Sequence, residues 1–328
     1  MAILVTGGAG YIGSVTAAEL LSRGEEVVIL DNLSRGYRNA VPRGAEFLCG
    51  DIGDREIVRQ LLNHFRIDAV MHFSAFAYVG ESVAEPMKYY LNNVVNTVIL
   101  LDTIIAAGVR KFIFSSTCAT YGEPEYLPID ESHPQKPTNP YGQSKHAIER
   151  VLSDLSQAQL IEFVSLRYFN ACGATVEYGE FHQPETHLIP IVLEAAAGKR
   201  TAVPVFGTDY DTPDGTAIRD YIHVSDLAAA HIAALDYLAG GGNSQFINLG
   251  NGTGYSVLEV IRAASEVTGR PINVEYKPRR SGDPSRLVAN ASKAAELLGW
   301  QPKISSLEKM IGSAYRWHQK YPNGYLSR

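Results

Sequence analysis

The N-terminal sequence joins a short apolar segment to three regularly spaced glycines. Residues 2–5 read AILV, and Gly7, Gly10 and Gly13 follow, just before apolar residues recur at helical spacing. Glycines in such a turn let the backbone bend tightly and let main-chain N–H groups approach a pyrophosphate at a helix N-terminus. The sequence therefore predicts a dinucleotide-binding strand–turn–helix unit, which belongs in a parallel α/β sheet.

Short apolar runs alternate with longer amphipathic segments through the first half of the chain. The runs predicted as buried parallel strands are 2–5, 27–30, 45–48, 69–73, 111–115 and 163–166. The segments with apolar residues at helical spacing are 14–23, 55–65, 94–107 and 141–157. This alternation predicts an α/β fold with a doubly wound parallel sheet of the Rossmann type.

The pattern changes after about residue 170. Residues 171–217 are rich in proline, glycine, threonine and aspartate and contain one helical segment near 189–197. A helix near 226–239 and a strand near 245–248 restore the earlier alternation. We therefore expect a nucleotide-binding domain of residues 1–170 plus about 218–250, interleaved with a smaller mixed α/β substrate-binding lobe of about 171–217 plus 251–328.

Composition and charge limit the classes of partner and the cellular compartment that the sequence predicts. The 328 residues include 29 basic and 35 acidic side chains, a net charge of −6 without a basic block, which disfavours nucleic-acid backbones as partners. No apolar run reaches the roughly 18 residues of a membrane span, and the N-terminus lacks a signal-peptide pattern. Three cysteines without CxxC spacing fit a reducing compartment, and the histidines form neither HExxH nor a Cys/His cluster. We expect a cytoplasmic protein without a metal site.

Asp31 ends the second predicted strand, eighteen residues after Gly13. A carboxylate at this position accepts hydrogen bonds from the adenosine ribose 2′-hydroxyl and repels a 2′-phosphate. The sequence therefore favours NAD over NADP as cofactor. Arg35 lies nearby and leaves NADP open, because an arginine can pair with a phosphate.

A tyrosine and a lysine are placed at the start of one predicted helix. Tyr141 and Lys145 follow Asn139-Pro140, a typical helix start, and their four-residue spacing puts them on one helical face. An unperturbed phenol has a pKa near ~10, and lowering it by three units takes about 4 kcal/mol. An ammonium and an oxidised nicotinamide ring in a dry cleft are the charges expected to supply it. Ser115 and Thr117 end the fifth strand at the same sheet edge.

The residues described so far, with further motifs, resemble the UDP-glucose 4-epimerase family (also called UDP-galactose 4-epimerases) of the extended short-chain dehydrogenase/reductase superfamily. The matching stretches are TGGAGYIG (6–13), DNLSRG (31–36), GDI (50–52), HFSA (72–75), VGES (79–82), NNVVNT (92–97), SSTCATYGEP (115–124), NPYGQSKHAIE (139–149), LRYFNACGA (166–174), DGTAIRDYIHVSDLA (214–228), NLGNG (248–252) and PRRSGDP (278–284). They span nearly the whole chain, and RYFN (167–170), the GT-x-x-RDYIHV stretch (215–224) and PRRxGD (278–283) identify the epimerases more specifically than the glycine fingerprint does.

The resemblance implies C4 epimerisation of a UDP-sugar with a tightly held NAD. Tyr141 would take the proton of the sugar 4-hydroxyl while a hydride passes from C4 to the nicotinamide, and the 4-keto sugar would turn and receive the hydride on its other face. Thr117 would bridge the 4-hydroxyl and the tyrosine. Lys145 would bind the nicotinamide ribose and lower the tyrosine pKa.

The resemblance also implies the binding residues. The predicted cofactor-binding residues are Gly7, Gly10, Tyr11, Ile12, Gly13, Asp31, Asn32, Asp51, Ile52, Phe73, Ala75, Asn92, Ser115, Tyr141, Lys145 and Phe169. The predicted substrate-binding residues are Thr117, Asn170, His187, Leu188, Phe206, Arg219, Arg280 and Asp283. Paired arginines suit a diphosphate, because each guanidinium offers a planar fork of donors. The family also implies a homodimer formed through residues 94–107 and 141–157.

Three positions depart from the family pattern. Ala77 stands where many bacterial members have a lysine, and His187 stands where some have an asparagine. Leu287 aligns with the position that gates N-acetylated sugars, so its bulk predicts poor use of UDP-N-acetylgalactosamine. The SSTCATYGEP stretch also resembles UDP-xylose/UDP-arabinose 4-epimerases, which leaves a pentose substrate open.

The sequence can also be compared with the residues that two other functions require. A nucleotide-sugar 4,6-dehydratase needs an Asp-Glu acid/base pair just after the strand-end threonine, where this chain has Cys118 and Ala119. A non-catalytic NAD-sensing protein typically lacks the tyrosine or the lysine, and both are present here. The sequence favours the epimerase over either alternative.

Overall fold

The computed structural model describes residues 1–280 and 282–327. The strands are β1 (Ala2–Thr6), β2 (Glu26–Asp31), β3 (Glu46–Cys49), β4 (Ala69–His72), β5 (Lys111–Thr117), β6 (Glu162–Tyr168), β7 (Asn170–Cys172), β8 (Val203–Phe206), β9 (Ile218–His223), β10 (Gln245–Leu249), β11 (Gly254–Ser256), β12 (Val274–Lys277) and β13 (Arg286–Leu287). The helices are α1 (Tyr11–Ser22), α2 (Arg55–His64), α3 (Val79–Ala84), α4 (Pro86–Tyr89), α5 (Asn96–Ala106), α6 (Pro140–Gln157), α7 (Leu188–Ala196), α8 (Val224–Ala239), α9 (Val257–Thr268), α10 (Ser292–Leu298) and α11 (Leu307–Lys320). A π-helical turn, Tyr90–Val95, joins α4 to α5.

A parallel sheet of seven strands organises the fold. Its order is β10-β6-β5-β4-β1-β2-β3, and every neighbouring pair is parallel. The strand order reverses between β1 and β4, which are paired up to their last residues, so the loops that follow them run to opposite faces of the sheet and leave a crevice. The predicted α/β class with a doubly wound parallel sheet is confirmed, and the predicted strands and helices agree with the observed ones to within about three residues at each end.

The sheet separates two hydrophobic layers. Successive residues of β1 alternate between them: Ile3 and Val5 pack with α1 and α8, whereas Leu4 packs with α2, α5 and α6. Each strand in the middle of the sheet is therefore apolar on both faces, which explains its continuous hydrophobic sequence.

The third strand is less buried than the sequence predicts. Residues 45–48 are predicted as a buried strand, but β3 lies at the edge of the sheet, pairs only with β2 and leaves Leu48 exposed. An apolar run does not distinguish an edge strand from a central one.

Smaller sheets form beyond the carboxyl edge of the large one. Strand β9 pairs with β7, β11 and β13, and β8 pairs with β12. Helices α7, α9 and α11 pack on these strands around a third apolar cluster that includes Val192, Val205, Val260 and Met310. Within the described residues, no helix has the length and apolarity needed to cross a bilayer.

Candidate active site

A cleft opens at the carboxyl edge of the sheet, beside β1 and β4, where the strand order reverses. Nine of the predicted cofactor-binding residues line it: Gly7, Gly10, Asp31, Asn32, Asp51, Ile52, Phe73, Ala75 and Asn92. Six further residues that were not predicted also line it: Ser34, Arg35, Gly36, Gly50, Ser74 and Phe76. The cleft occupies the position at which open α/β sheets bind their ligands.

The glycine turn leaves no room for side chains. Gly7 has a φ of 73°, and a Cβ on Gly13 would lie 2.3 Å from the Gly7 carbonyl oxygen. A Cβ on Gly7 would lie 2.6 Å from the backbone nitrogen of Ser74 at the end of β4. The turn is therefore held against the next strand, and the start of α1 faces a narrow cleft suited to a pyrophosphate.

Asp31 and Arg35 together fit an unphosphorylated adenosine ribose. The Asp31 carboxylate is buried and accepts hydrogen bonds from the backbone N–H of Ala9 at 3.0 Å and of Leu33 at 2.8 Å. Arg35 is already engaged, because it pairs with Glu81 at 2.6 Å and stacks over the Tyr78 ring at 4.9 Å. A fixed carboxylate and an arginine already paired with a carboxylate match NAD better than NADP.

Tyr141, Lys145 and Thr117 converge beside the cleft. The Asn139 side chain accepts a hydrogen bond from the Gly142 N–H at 2.9 Å and caps α6, which fixes the direction of its first turn. Lys145 Nζ donates to the Ser115 carbonyl at 2.7 Å, and the Thr117 side chain lies near enough to Tyr141 to favour the phenolate. The hydroxyl pair and the amine therefore meet where α6 crosses the end of β5.

Burial dominates the electrostatics of this group. It raises the pKa of Tyr141, although the nearby Thr117 side chain acts in the opposite direction. Burial also lowers the pKa of Lys145 to about 7, with Glu149 opposing the shift. The lowered tyrosine pKa predicted from the sequence is thus not a property of the protein alone, and the phenolate needs an additional positive charge such as an oxidised nicotinamide.

Two supporting arrangements were not predicted from the sequence. Glu149 on α6 forms a buried ion pair with Arg167 on β6 at 2.8 Å, and its carboxylate also accepts from Ser116 and Ser165. This network ties α6 to two central strands one turn after Lys145. Such a network has no local sequence signature, because its partners lie on three separate elements.

The second arrangement comes from the π-helical turn. Asn93 accepts from the Phe76 N–H, donates to the Phe76 carbonyl and donates to Ser144 Oγ at 3.0 Å. It therefore joins one wall of the cleft to the helix that carries Tyr141. The NNVVNT stretch contained this signal, but only its first asparagine was assigned a role.

Four of the predicted substrate-binding residues form two contacting pairs, each with one arginine. The Arg280 guanidinium lies over the Phe206 ring at 3.9 Å, and Arg219 pairs with Asp283. Asn170 begins β7 beside these residues, opposite Tyr221 of β9. Arg219 lowers the pKa of Cys118, the neighbour of Thr117, although burial raises it overall, so this arginine acts close to the catalytic group.

His187 and Leu188 are placed by α7, of which His187 is the N-cap. Leu188 begins α7 and packs on the third apolar cluster. His187 Nδ1 lies 2.9 Å from carboxylate oxygens of both Glu180 and Glu185. Burial would lower the pKa of His187, but these carboxylates outweigh it and raise the pKa to about 10.

Some predicted cofactor residues point away from the cleft. The Tyr11 hydroxyl donates to the Gly173 carbonyl at 2.6 Å, and the Ile12 side chain packs into the hydrophobic core. The Ser115 hydroxyl pairs with His231 Nε2 at 2.8 Å, and Phe169 is buried against Cys118 and Leu287. Tyr11, Ile12 and Ser115 can therefore reach a cofactor only through their backbone groups.

Comparison with known proteins identifies the family. Residues 3–250 match the family model of the NAD dependent epimerase/dehydratase family. The UDP-glucose 4-epimerase of Halalkalibacterium halodurans is 52% identical over 99% of this chain and 98% of its own. A crystal structure of a UDP-glucose 4-epimerase superposes with a TM-score of 0.97 at 50% identity, covering 99% of each chain.

The chain belongs to the UDP-glucose 4-epimerase family. A member from Bifidobacterium longum, solved in complex with NAD+ and UDP, superposes with a TM-score of 0.94 at 41% identity over 99% of this chain and 100% of that one. Membership confirms the family resemblance, the isomerase class and NAD as the cofactor of the family. These relatives favour the epimerase over the dehydratase and the NAD-sensing protein.

Proposed function

We propose that this protein interconverts UDP-galactose and UDP-glucose by NAD-dependent epimerisation at C4. The observation that carries the proposal is the meeting of Tyr141, Thr117 and Lys145 at the end of β5, beside a cleft that fits a dinucleotide. Arg219 and Arg280 supply the forked donors that a sugar diphosphate requires.

Bound NAD supplies a hydride acceptor at C4 and the donor that returns the hydride. Tyr141 takes the proton of the 4-hydroxyl, with Thr117 beside it to orient that hydroxyl, and gives the proton back after the sugar has turned. Burial keeps water away from both side chains. The tyrosine therefore acts once as base and once as acid in each turnover.

Lys145 holds its ammonium beside the tyrosine and donates to the Ser115 carbonyl. Because the pKa of Lys145 is about 7, its charge at neutral pH depends on its surroundings. A neighbouring negative group, such as a phenolate, would favour the protonated form. We assign Lys145 to the nicotinamide ribose and to stabilising the Tyr141 phenolate.

The diphosphate would lie between Arg219 and Arg280. Arg219 now pairs with Asp283 and also donates to the Pro284 carbonyl at 2.8 Å, while Arg280 covers Phe206. Phe206 offers an aromatic face for the uracil, and Asn170, His187 and Leu188 complete the proposed uridine-binding surface. These few placed donors bind the phosphates despite the negative charge of the whole chain.

We also propose a cytoplasmic homodimer with the two interleaved domains expected from the sequence. Apolar side chains are exposed along α4, the π-helical turn and α5, namely Met87, Leu91, Val95 and Val98. Contiguous exposed apolar residues on neighbouring helices are typical of a subunit interface. The three cysteines are free, as in a reducing compartment.

The test is incubation of the purified protein with UDP-galactose, and separately with UDP-arabinose, without added NAD. Formation of the C4 epimer of UDP-galactose, followed by NMR, supports both the reaction and a retained cofactor. Faster conversion of UDP-arabinose would favour the pentose alternative. Failure to convert either sugar, with and without added NAD, would refute the proposal.

A further inference from the structure

Four metal-ligating side chains converge in the segment that leads into α7. They are Glu180, His182, Glu185 and His187, and one ligand atom from each lies within 4.8 Å of all the others. We infer that these four residues form a binding site for one Zn²⁺ ion per chain. The inference is independent of the proposed epimerase activity.

The distances fit tetrahedral coordination. His187 Nδ1 lies 2.9 Å from Glu180 Oε1 and 2.9 Å from Glu185 Oε1. His182 Nδ1 lies 3.4 Å from the same Glu180 oxygen and 3.7 Å from Glu185 Oε2. Zinc bonds of about 2.0–2.2 Å place tetrahedral ligands roughly 3.3–3.6 Å apart. The observed spacings bracket this range, so only small side-chain movements are required.

The two histidines supply few hydrogen-bond donors to the carboxylates, although Glu185 also accepts from two backbone N–H groups. His187 Nδ1 can carry one hydrogen, which two carboxylate oxygens share at equal distance. His182 Nδ1 is shut off from solvent and has no hydrogen-bond partner, although other atoms of its ring are partly exposed. A buried unpartnered nitrogen facing two buried carboxylates is costly, and a divalent cation at the centre would satisfy all four groups.

The surroundings hold the ligands in place. Glu185 Oε1 accepts from the backbone N–H groups of Thr186 and His187, each at 2.8 Å. The Tyr78 ring packs edge-on against both histidine rings at 5.8 Å and 5.9 Å. Supporting contacts of this kind orient metal ligands before the ion binds.

The proposal departs from the expectation of no metal site. That expectation considered HExxH and Cys/His clusters, whereas the four ligands here read E-x-H-x-x-E-x-H over residues 180–187. The site would fix the segment that ends at His187 and Leu188, two of the proposed uridine-binding residues. Coordination through Nδ1 leaves the Nε2 edge of His187 available for other contacts.

The experiment measures Zn²⁺ binding by the untagged full-length protein after treatment with a chelator. Titration with zinc chloride should show one site per chain with a Kd of about 1 µM or tighter, and saturating Zn²⁺ should raise the Tm by roughly 4 °C. His182→Gln and Glu185→Gln should each weaken binding at least about tenfold. His64→Gln, which alters an exposed histidine on α2, is the matched control and should bind as the wild type does.

Cobalt provides a readout that does not depend on the stability of the variants. Co²⁺ bound to the wild type should give the visible absorption of a tetrahedral site without a thiolate charge-transfer band, which excludes exposed Cys49 as a ligand. The inference is overturned if the wild type shows no saturable Zn²⁺ site. It is equally overturned if both ligand variants, folded by circular dichroism, bind Zn²⁺ with unchanged affinity.

Discussion

Two opposing effects act on the pKa of Tyr141. Burial raises the pKa of Tyr141, while the nearby Thr117 side chain and the charges expected around a bound cofactor favour loss of the proton. A tyrosine in this environment is a weak base until substrate and cofactor are both present. The chemistry therefore depends on one hydroxyl, which can be removed with little change in shape.

Tyr141→Phe should lower kcat for UDP-galactose by roughly a thousandfold, because proton transfer by a placed side chain contributes about 10²–10⁴. The variant should still retain NAD, since the ring and the cleft are unchanged. Initial rates and the absorbance of released cofactor measure the two quantities. Tyr126→Phe, at an exposed tyrosine, is the control. A Tyr141→Phe enzyme with wild-type rates would show that another group moves the proton.

Leu287 provides a second prediction for a single residue. It packs beside Phe169 and Cys118, and its backbone pairs with Arg219 in the neighbouring strand. Its bulk should exclude an acetamido group, so kcat/KM for UDP-N-acetylgalactosamine should be at least about tenfold below that for UDP-galactose. Leu287→Ser should reduce the difference in kcat/KM between the two sugar nucleotides. Equal turnover of the two sugars by the wild type would contradict this assignment.

Single residues differ in how well the sequence predicts them. Tyr141 and Lys145 are predictable because one helix carries both at fixed spacing. Glu149 is not, because its importance comes from Arg167, Ser116 and Ser165 on other elements. Tyr11 stays a predicted cofactor-binding residue, but its hydroxyl donates to the distant Gly173 carbonyl, so the contact would come from its backbone.

At the scale of elements, the first turn is the most tightly constrained part of the nucleotide cleft. Gly13→Ala should abolish NAD retention, because the new Cβ would lie 2.3 Å from the Gly7 carbonyl oxygen and force the turn open. Gly80→Ala is the matched control, since a Cβ there meets nothing within 4 Å. Cofactor content after purification measures both. Full NAD content in Gly13→Ala would mean that the turn does not bind the pyrophosphate.

The central elements follow from the sequence more closely than the peripheral ones. Strands β1, β4, β5 and β6 are buried on both faces, so continuous apolar runs indicate them. The short strands β7, β11 and β13 have two or three residues each, and β9 is their partner from a distant part of the chain. Such strands exist only through pairing, which local sequence patterns do not encode.

At the scale of the whole molecule, two buried histidines predict how stability depends on pH. Burial lowers the pKa of His72 to about 3 and that of His231 to about 4. In the unfolded chain a histidine takes up its proton near pH ~6.5, whereas the folded protein resists protonation until pH 4 or below. Their contribution is therefore complete above about pH 6.5 and is lost as the pH falls from 6.5 towards 4.

Urea unfolding should show this loss directly. Between pH 7.5 and pH 5 the two histidines together should remove about 4 kcal/mol from the free energy of unfolding, and His231→Gln should remove only about half as much over the same range. His64→Gln, at an exposed site, should leave the pH dependence unchanged. An identical pH dependence in wild type and His231→Gln would contradict the assignment.

The overall charge of the molecule was a poor guide to its ligand. A chain with a net charge of −6 would repel a dianionic sugar nucleotide on average. Arg219, Arg280 and the N-terminus of α1 instead place donors at particular points. The local arrangement of these groups, where the strand order reverses between β1 and β4, decides what the cleft binds.

The most direct test of the proposed epimerisation follows the hydrogen at C4. UDP-galactose carrying deuterium at C4 is incubated in ordinary water with the purified protein and no added NAD. Because a retained cofactor returns the same hydrogen to the same carbon, we expect UDP-glucose that carries deuterium at C4. Loss of the deuterium to water, or no UDP-glucose even with NAD added, would contradict the proposed epimerase.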